Sequence, residues 1–565
     1  MWNRKDLVAV AAPSYRATFE LTNPDIPSLT GTTIKRRRIG IKWERIIESG
    51  KLTLLERITF RNFDIEPIDF PISMTFQAGF QDIFIIHGAK GKKTGKLRTP
   101  LWDNGVLRFS YIGVDKMYRG LAIHLPPGFE PTSEDSAKLD VHLAPGESEA
   151  VQLSLVIAES PVEEEGQPHG YTRSDFNTVA DAMHRAAKEW TVKHTVVESD
   201  SRLLNQTMRC SPSDHLILRS ELDNDHYFAA GLPWFCALFG RDSLIAALQM
   251  LAYSPSLAEQ TLRLLARFQG QRVDPSRDEE PGKIHHELRR GELANSKQIV
   301  QTPYYGTVDA TPLFIILLSE HAAWTGDLTL FHHLRSNVDA ALEWISKYGV
   351  LDKDGYLKYQ SKSKKGAQNQ GWKDSGNSMV NEDGSLAPPP IALVEVQGYV
   401  YLAKTLVAEL YRRAGAMDRA DELLQEAAKL RSHFNRDFWI EDKNFYAMAL
   451  QQHNRPASVI SSNPGQALWS GIVDSNRVNQ VADCLMGEDM FSGWGVRTLS
   501  EHERRYNPIV YHLGTVWPHD NSIIAIGLRK YGLDDAFQRV FSGILRSRFA
   551  LRVSPAAGAL FWFQA

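Results

Sequence analysis

Gly371-Trp372-Lys373-Asp374-Ser375-Gly376-Asn377-Ser378 is the stretch on which the reading of this chain turns. Glycines and serines surround a single aspartate that is entered through a tryptophan, the composition of a tight loop. An acid beside a flat aromatic, on a backbone pinned by glycine, can present one proton to a sugar. The same residues can also make an Asx-turn or a helix N-cap, with Asp374 and Ser375 satisfying backbone N–H groups. What the loop connects decides which.

On its C-terminal side Tyr399, Leu402, Ala403, Leu406 and Leu410 fall on one helical stripe. On its N-terminal side Leu257, Thr261, Leu264, Leu265 and Phe268 do the same. Asp418 to Phe434, rich in Ala and Leu, is another helix. Further helical segments lie near 177–195, 200–219, 242–252, 311–325, 328–347, 474–485, 519–531 and 533–545, about eleven in all by periodicity. The connectors between them are often long and rich in Trp, Gly, Asp and His. Short connectors would give a simple bundle, whereas long ones make a rim around a pocket. No repeat of fixed length is visible, so a toroid of helical hairpins fits better than a solenoid.

Residues 1–158 have a different period. Ile68, Phe70, Ile72, Met74 and Phe76 alternate with Asp69, Pro71, Ser73 and Thr75, and Val151, Leu153, Leu155 and Ile157 repeat the alternation. Leu107, Phe109 and Tyr111 do so more briefly. A mostly antiparallel sandwich follows. The polar, acidic stretch within 159–174, Ser160 to Pro168, reads as a linker to a helical domain over 175–565. The basic run Lys35-Arg36-Arg37-Arg38 reads as a solvated strand edge.

The bulk numbers narrow the function classes. A chain of 565 residues exceeds one ordinary core, so two unequal domains are expected. A net charge of −3 gives no electrostatic case for nucleic acid or an anionic membrane as partner. Thirteen tryptophans suit carbohydrate as well as core packing, since Trp offers a flat face and a polar edge. Cys210, Cys236 and Cys484 have no metal-ligand spacing and point to a reducing compartment. With neither a signal-like apolar stretch behind Met1 nor a long apolar run elsewhere, the expectation is a cytoplasmic protein.

Other loops repeat the theme of Asp374. In Gly231 to Ser243, Arg241 and Asp242 can bracket two vicinal hydroxyls, or form an N-cap with an ion pair. Lys283 to Glu292 holds His285-His286-Glu287 but lacks the i, i+4 histidine spacing of a zinc site, so no metal or cofactor is expected. Asp309 lies just ahead of a helix with an early proline, and Trp517, His519 and Asp520 open another.

Read in order, FGRDSL, HHELRRGE, YYGTVDATP, GWKDSGNS, EVQGY and GTVWPHDNS resemble the bacterial amylo-α-1,6-glucosidase family, the glycogen-debranching-like glycoside hydrolases. The resemblance runs from near residue 175, and the β-region before it resembles that family's N-terminal domain. It implies an (α/α)6 barrel and inverting hydrolysis of α-glucosidic bonds, α-1,6 in particular, in glycogen- or starch-derived oligosaccharides. Asp374 then matches the general acid. Trp234, Arg241, Asp242, Asp309, Trp372, Trp517, His519 and Asp520 match residues lining the sugar subsite, and Phe239, Glu287, Tyr305 and Lys373 of the same motifs complete the substrate-binding set. Burial beside Trp372 should raise the pKa of Asp374, and Lys373 should face a hydroxyl or solvent so as not to oppose this.

Inverting hydrolysis also needs a second carboxylate, about 6.5–9.5 Å from the acid, to activate water. The family's C-terminal base glutamate has no counterpart, since no carboxylate side chain follows Asp535. The apolar tail from Phe549 to Ala565 reads as a truncated or frame-shifted end, leaving the barrel incomplete, and the N-terminal domain reads as truncated at its start. Glu395 and Glu287 stand as substitute base candidates. Two rivals therefore accompany the hydrolase reading: a carbohydrate-binding pseudoenzyme without a base, and an inverting phosphorylase.

Overall fold

The computed structural model describes residues 7–11, 15–89, 93–162, 174–193, 195–351 and 354–550. Most of the expected linker and the tail beyond Ala550 lie outside these residues. The chain divides into two compact units, Met1–Lys193 with Arg290–Gln298, and His194–Arg289 with Ile299–Ala565.

The first unit is built on β1 (Leu7–Ala11), β2 (Arg16–Thr22), β3 (Ile39–Glu48), β4 (Thr53–Asn62), β5 (Ile68–Thr75), β6 (Val106–Ile112), β7 (Met117–His124), β8 (Ser136–Leu143) and β9 (Ser148–Pro161). The larger sheet runs β1-β2-β3-β4-β9-β7-β6, and β5 pairs with β8 in a second sheet, all antiparallel. Alternation sets which side chains point inward. Ile41, Phe60, Val151 and Leu153 of the larger sheet meet Ile68, Phe70, Val141 and Leu143 of the smaller in one core. The alternation fades at the end of β9, where Ile157 is exposed. The basic run occupies the turn leading into β3, not a strand edge, and there Lys35 lies 3.8 Å from Asp25.

Two pieces beyond the 158 boundary belong with these sheets. Helix α1 (Phe176–Val192) buries Phe176 and Val179 against Ile46 and Leu55, because its one apolar face has a sheet to cover. Within Arg290–Gln298, Glu292 accepts hydrogen bonds from the Tyr111 hydroxyl at 2.6 Å and the Val114 amide at 2.7 Å.

The second unit is helical: α2 (Arg202–Leu218), α3 (Gly240–Gln249), α4 (Pro255–Arg267), α5 (Ala310–Thr325), α6 (Thr329–Glu343), α7 (Val394–Arg413), α8 (Met417–Asp437), α9 (Asn463–Ser470), α10 (Val478–Met486), α11 (Pro518–Lys530) and α12 (Asp534–Ala550). Helices α3, α5, α7, α9 and α11 pack in succession along a ring, and Gln249 of α3 donates to Ser522 of α11 at 2.9 Å, linking the first of them to the last. The buried face of α5 extends all round, as its apolar sequence requires of an inner helix. By contrast α8 buries a stripe including Leu423, Leu430 and Phe434 and leaves the rest outward.

Helix α9 escapes the periodicity reading altogether. Its Asn-Pro-Gly opening looks like a turn, and all eight of its residues are buried, so no amphipathic contrast marks it. Among the described residues no helix is long and apolar enough to cross a membrane.

Candidate active site

Several residues singled out by the motifs stand at the N-terminal ends of the ring helices. Arg241 and Asp242 lie in the first turn of α3, Asp309 directly before α5, Glu395 second in α7 and Trp517 directly before α11, and Asn463, which no motif marked, is first in α9. Neither α3 nor α5 is capped by a side chain, so Asp242 and Asp309 are not serving as caps. Asp309 is hydrogen-bonded elsewhere and Asp242 Oδ2 is buried without a hydrogen-bond partner, and the positive ends of the helices favour both carboxylates there.

Gly240 fits this corner because a Cβ would stand 2.1 Å from the His285 carbonyl oxygen, and its amide donates to the His286 carbonyl at 2.9 Å. The next residue, Arg241, is thereby turned inward. Its guanidinium donates to Asp309 at 3.2 Å, to the Gly371 carbonyl at 3.0 Å and to Asp374 at 3.2 Å, with Asp242 at 3.8 Å. Thr307 donates to the other Asp309 oxygen at 2.6 Å. One cation thus binds the acid loop to the starts of α3 and α5.

Asp374 opens on a cavity of about 190 Å³. Phe239, Trp372, Tyr511, His512, Trp517 and His519 form its aromatic wall, and Asp214, His215, Arg241 and Asp242 are among its polar groups. The wall is braced edge to face: Trp372 lies 5.0 Å from His519, 5.5 Å from His512 and 6.2 Å from Trp517. Ser375 shares a 2.9 Å hydrogen bond with His512, tying the acid loop to that wall.

Burial pushes the Asp374 carboxyl up to about 6, outweighing the pull of Arg241, and Asp242 adds a further push. Asp242 is raised by the same desolvation, against Arg241. Burial lowers His519 to about 3 and His512 well below the usual imidazole range, so both rings are neutral near pH 7. The arrangement therefore offers a carboxyl that keeps its proton in weak acid, beside flat neutral rings.

The structure divides the expected residues. Phe239, Arg241, Asp242, Trp372, Asp374, Trp517 and His519 line the cavity; Trp234, Glu287, Tyr305, Asp309, Lys373, Glu395 and Asp520 do not. Tyr305 turns its hydroxyl to the Phe268 carbonyl at 2.7 Å. Arg289 engages both Glu287 and the Trp234 carbonyl, so these two brace a loop. Asp309 supports Arg241 from behind. Lys373 does not face a hydroxyl or solvent as the sequence suggests; it is 1% exposed and bonded to Asn463 and the Thr498 carbonyl. The bends of the loop face Asp374 onto the cavity and turn its neighbour Lys373 to Asn463 in the interior. Glu395 and Asp520, both fully buried, attract that ammonium from a distance without an ion-pair contact, and both are pushed up by burial.

Tyr511 and His512 line the cavity without having been expected there, and so do Asp214 and His215. The last two sit within α2, in Ser211-Pro212-Ser213-Asp214-His215, with no motif to flag them. The proline inside that helix is the one local oddity that could have drawn attention.

Residues 3–154 match the N-terminal domain of some glycogen debranching enzymes. Residues 241–552, more than half of the chain, match the mannosylglycerate hydrolase MGH1-like glycoside hydrolase domain. The chain belongs to the MGH1-like glycoside hydrolase family. No curated protein matches it. Among solved structures it is similar to a "Putative kojibiose phosphorylase from human microbiome", at 8% identity over 97% of this chain and 74% of that one, TM-score 0.55. It is also similar to the GH63 mannosylglycerate hydrolase of Thermus thermophilus in complex with Tris, at 15% identity over 60% of this chain and 95% of that one, TM-score 0.45. The fold class is an N-terminal antiparallel β-sheet unit followed by an (α/α)6 helical unit. Together the two matches support a glycosidic-bond-processing enzyme of glycogen-debranching-like type, a coarser assignment than amylo-α-1,6-glucosidase.

Proposed function

We propose that this protein hydrolyses α-glucosidic bonds, α-1,6 in preference, at the non-reducing ends of glycogen- or starch-derived oligosaccharides, with inversion and without a metal or cofactor. The observation that carries this reading is a protonatable, half-buried Asp374 facing a small cavity walled by Trp372, Trp517 and His519. Asp374 donates its proton to the glycosidic oxygen as the bond to the anomeric carbon breaks. The aromatic wall holds one sugar ring by its apolar face, and Arg241 with Asp242 brackets hydroxyls. The free cysteines Cys210, Cys236 and Cys484 fit a reducing, cytoplasmic setting.

The attacking water needs a carboxylate on the opposite side of the ring. Asp214 and Asp242 are the other two acids of the cavity wall, and we assign the base to one of them in preference to Glu395, which the cavity does not reach. Against a phosphorylase stands the lining: among the described residues its one lysine or arginine is Arg241, already engaged by Asp309 and Asp374. A phosphate arriving there would compete with two carboxylates for a single guanidinium.

Incubation with isomaltose, panose and a glycogen limit dextrin, following free glucose, tests the proposal. Release is expected from wild type and lost by a factor of about 10² to 10⁴ in Asp374→Asn. Binding of these sugars with no release by wild type would sink it and leave a binding protein. Turnover that rises with added inorganic phosphate and yields glucose phosphate would instead identify a phosphorylase.

A further inference from the structure

Lys373 is among the largest fully buried side chains of the molecule. Its Nζ donates to Asn463 Oδ1 and to the Thr498 carbonyl, each at 2.6 Å, and lies 5.0 Å from the Trp372 ring centroid. Glu395 and Asp520 attract it over a longer distance. Such a cluster is weak evidence for stability, because well-packed apolar side chains often serve as well in its place. Hydrogen-bonded charges do something apolar groups cannot, which is to fix one geometry by direction.

Each of the two acceptors is tied to a segment that lines the cavity. Asn463 opens α9, whose Gln466 donates to Asp520 of α11. Thr498 accepts from the Gly514 amide through its hydroxyl at 2.8 Å and donates its own amide to the Thr515 carbonyl at 2.9 Å. It is therefore stitched to the stretch that carries Tyr511, His512 and Trp517. On the other side of the acid, Ser375 reaches His512 of the same stretch. Asp374 sits between two anchors.

We infer that Lys373 is a positioning residue for Asp374, holding the acid loop through Asn463 and the Thr498 carbonyl at the angle that meets the glycosidic oxygen. This rests on the acid role proposed for Asp374. A displacement of the loop by about 1 Å is enough to cost two orders of magnitude in rate when orientation is the means of catalysis.

The test is turnover by Lys373→Met of two substrates that differ in their need for a proton. Isomaltose has a sugar alkoxide as leaving group and requires the acid. With α-glucosyl fluoride the anomeric C–F bond breaks unaided by a proton, water adds at that carbon, and glucose, fluoride and one proton leave. We expect kcat on isomaltose to fall about 10²-fold with KM within about threefold, and kcat on the fluoride to fall less than about tenfold. Equal losses on both substrates, or no loss on either, overturn the inference, since a merely structural lysine would not distinguish leaving groups. Should Lys373→Met fail to fold, Asn463→Ala removes the facing acceptor, and the same selective loss is expected, with the same overturning result. Wild type that hydrolyses neither substrate overturns the acid role itself. Wild type active on both, with unselective variants, overturns only the positioning.

Discussion

Two buried charge clusters flank the Gly371–Ser378 loop, and their make-up is nearly the same. Arg241 gathers Asp242, Asp309 and Asp374, while Lys373 attracts Glu395 and Asp520 from a distance. Apart from Asp374 of the loop, both draw their acids from the N-terminal ends of ring helices, and burial raises carboxyl groups in each. They differ in access. The Asp374 side chain keeps 31% exposure, onto the cavity, whereas Glu395 and Asp520 are closed in on every side. A raised carboxyl is thus a sign of burial first, and becomes a sign of chemistry only where a substrate can arrive.

Arg241→Met should break the open cluster most severely. It leaves Asp309, Asp374 and Asp242 facing one another without a cation, at a cost of about 3–5 kcal/mol in urea denaturation, with glucose release lost. A change in stability below about 1 kcal/mol would mean that the acids simply take up protons, and that the cation is not what organises them.

Asp214→Asn and Asp242→Asn sharpen the open cluster's role. Loss of the base should slow isomaltose and α-glucosyl fluoride alike, by about 10² to 10⁴ in one of the two variants. That pattern is the opposite of the selective loss expected for Lys373→Met. If neither variant slows release more than about tenfold, the cavity wall does not hold the base.

The pH profile is the next largest effect. With Asp374 at about 6, kcat/KM on isomaltose should fall about tenfold per unit as pH rises above that value. The same shift fixes a stability trend. The folded pKa lies above the unfolded value of about 3.9, so the folded state binds the proton more tightly. Its stabilising contribution is fully present below about pH 4 and is lost as pH rises through about 6. Asp374→Asn should flatten both curves; a wild-type rate that is level from pH 5 to 8 would remove Asp374 as the titrating acid.

Glu395→Gln should do least. It keeps shape inside the sealed cluster, and kcat should stay within about threefold with a stability change below about 1.5 kcal/mol. A hundredfold loss of rate with sugar binding intact would make Glu395 catalytic and erase the distinction between the clusters.

The sequence by itself determined the element types and the site's address. Alternation over β5 and β9 gave a two-sheet core, because successive strand side chains must face opposite ways. Stripes over α4 and α7 gave amphipathic helices, and the Trp, Gly, Asp loops before α5 and α11 marked where the helix starts gather. The eight residues of α9 gave no such signal: buried all round, they show no contrast between faces, and unlike the longer apolar run of α5 they are few and open on a turn-like Asn-Pro-Gly. Asp214 and His215 gave none either, being ordinary polar residues of α2 until the fold sets them against Phe239 and Trp517. What only the tertiary structure decided is which acids meet open space. Lys373 and Asp374 are neighbours in the chain, yet one faces Asn463 and the other Arg241, and those partners come from segments 90 and 133 residues away. Local pattern records what a residue prefers, whereas access to the cavity depends on how distant helix ends close around it.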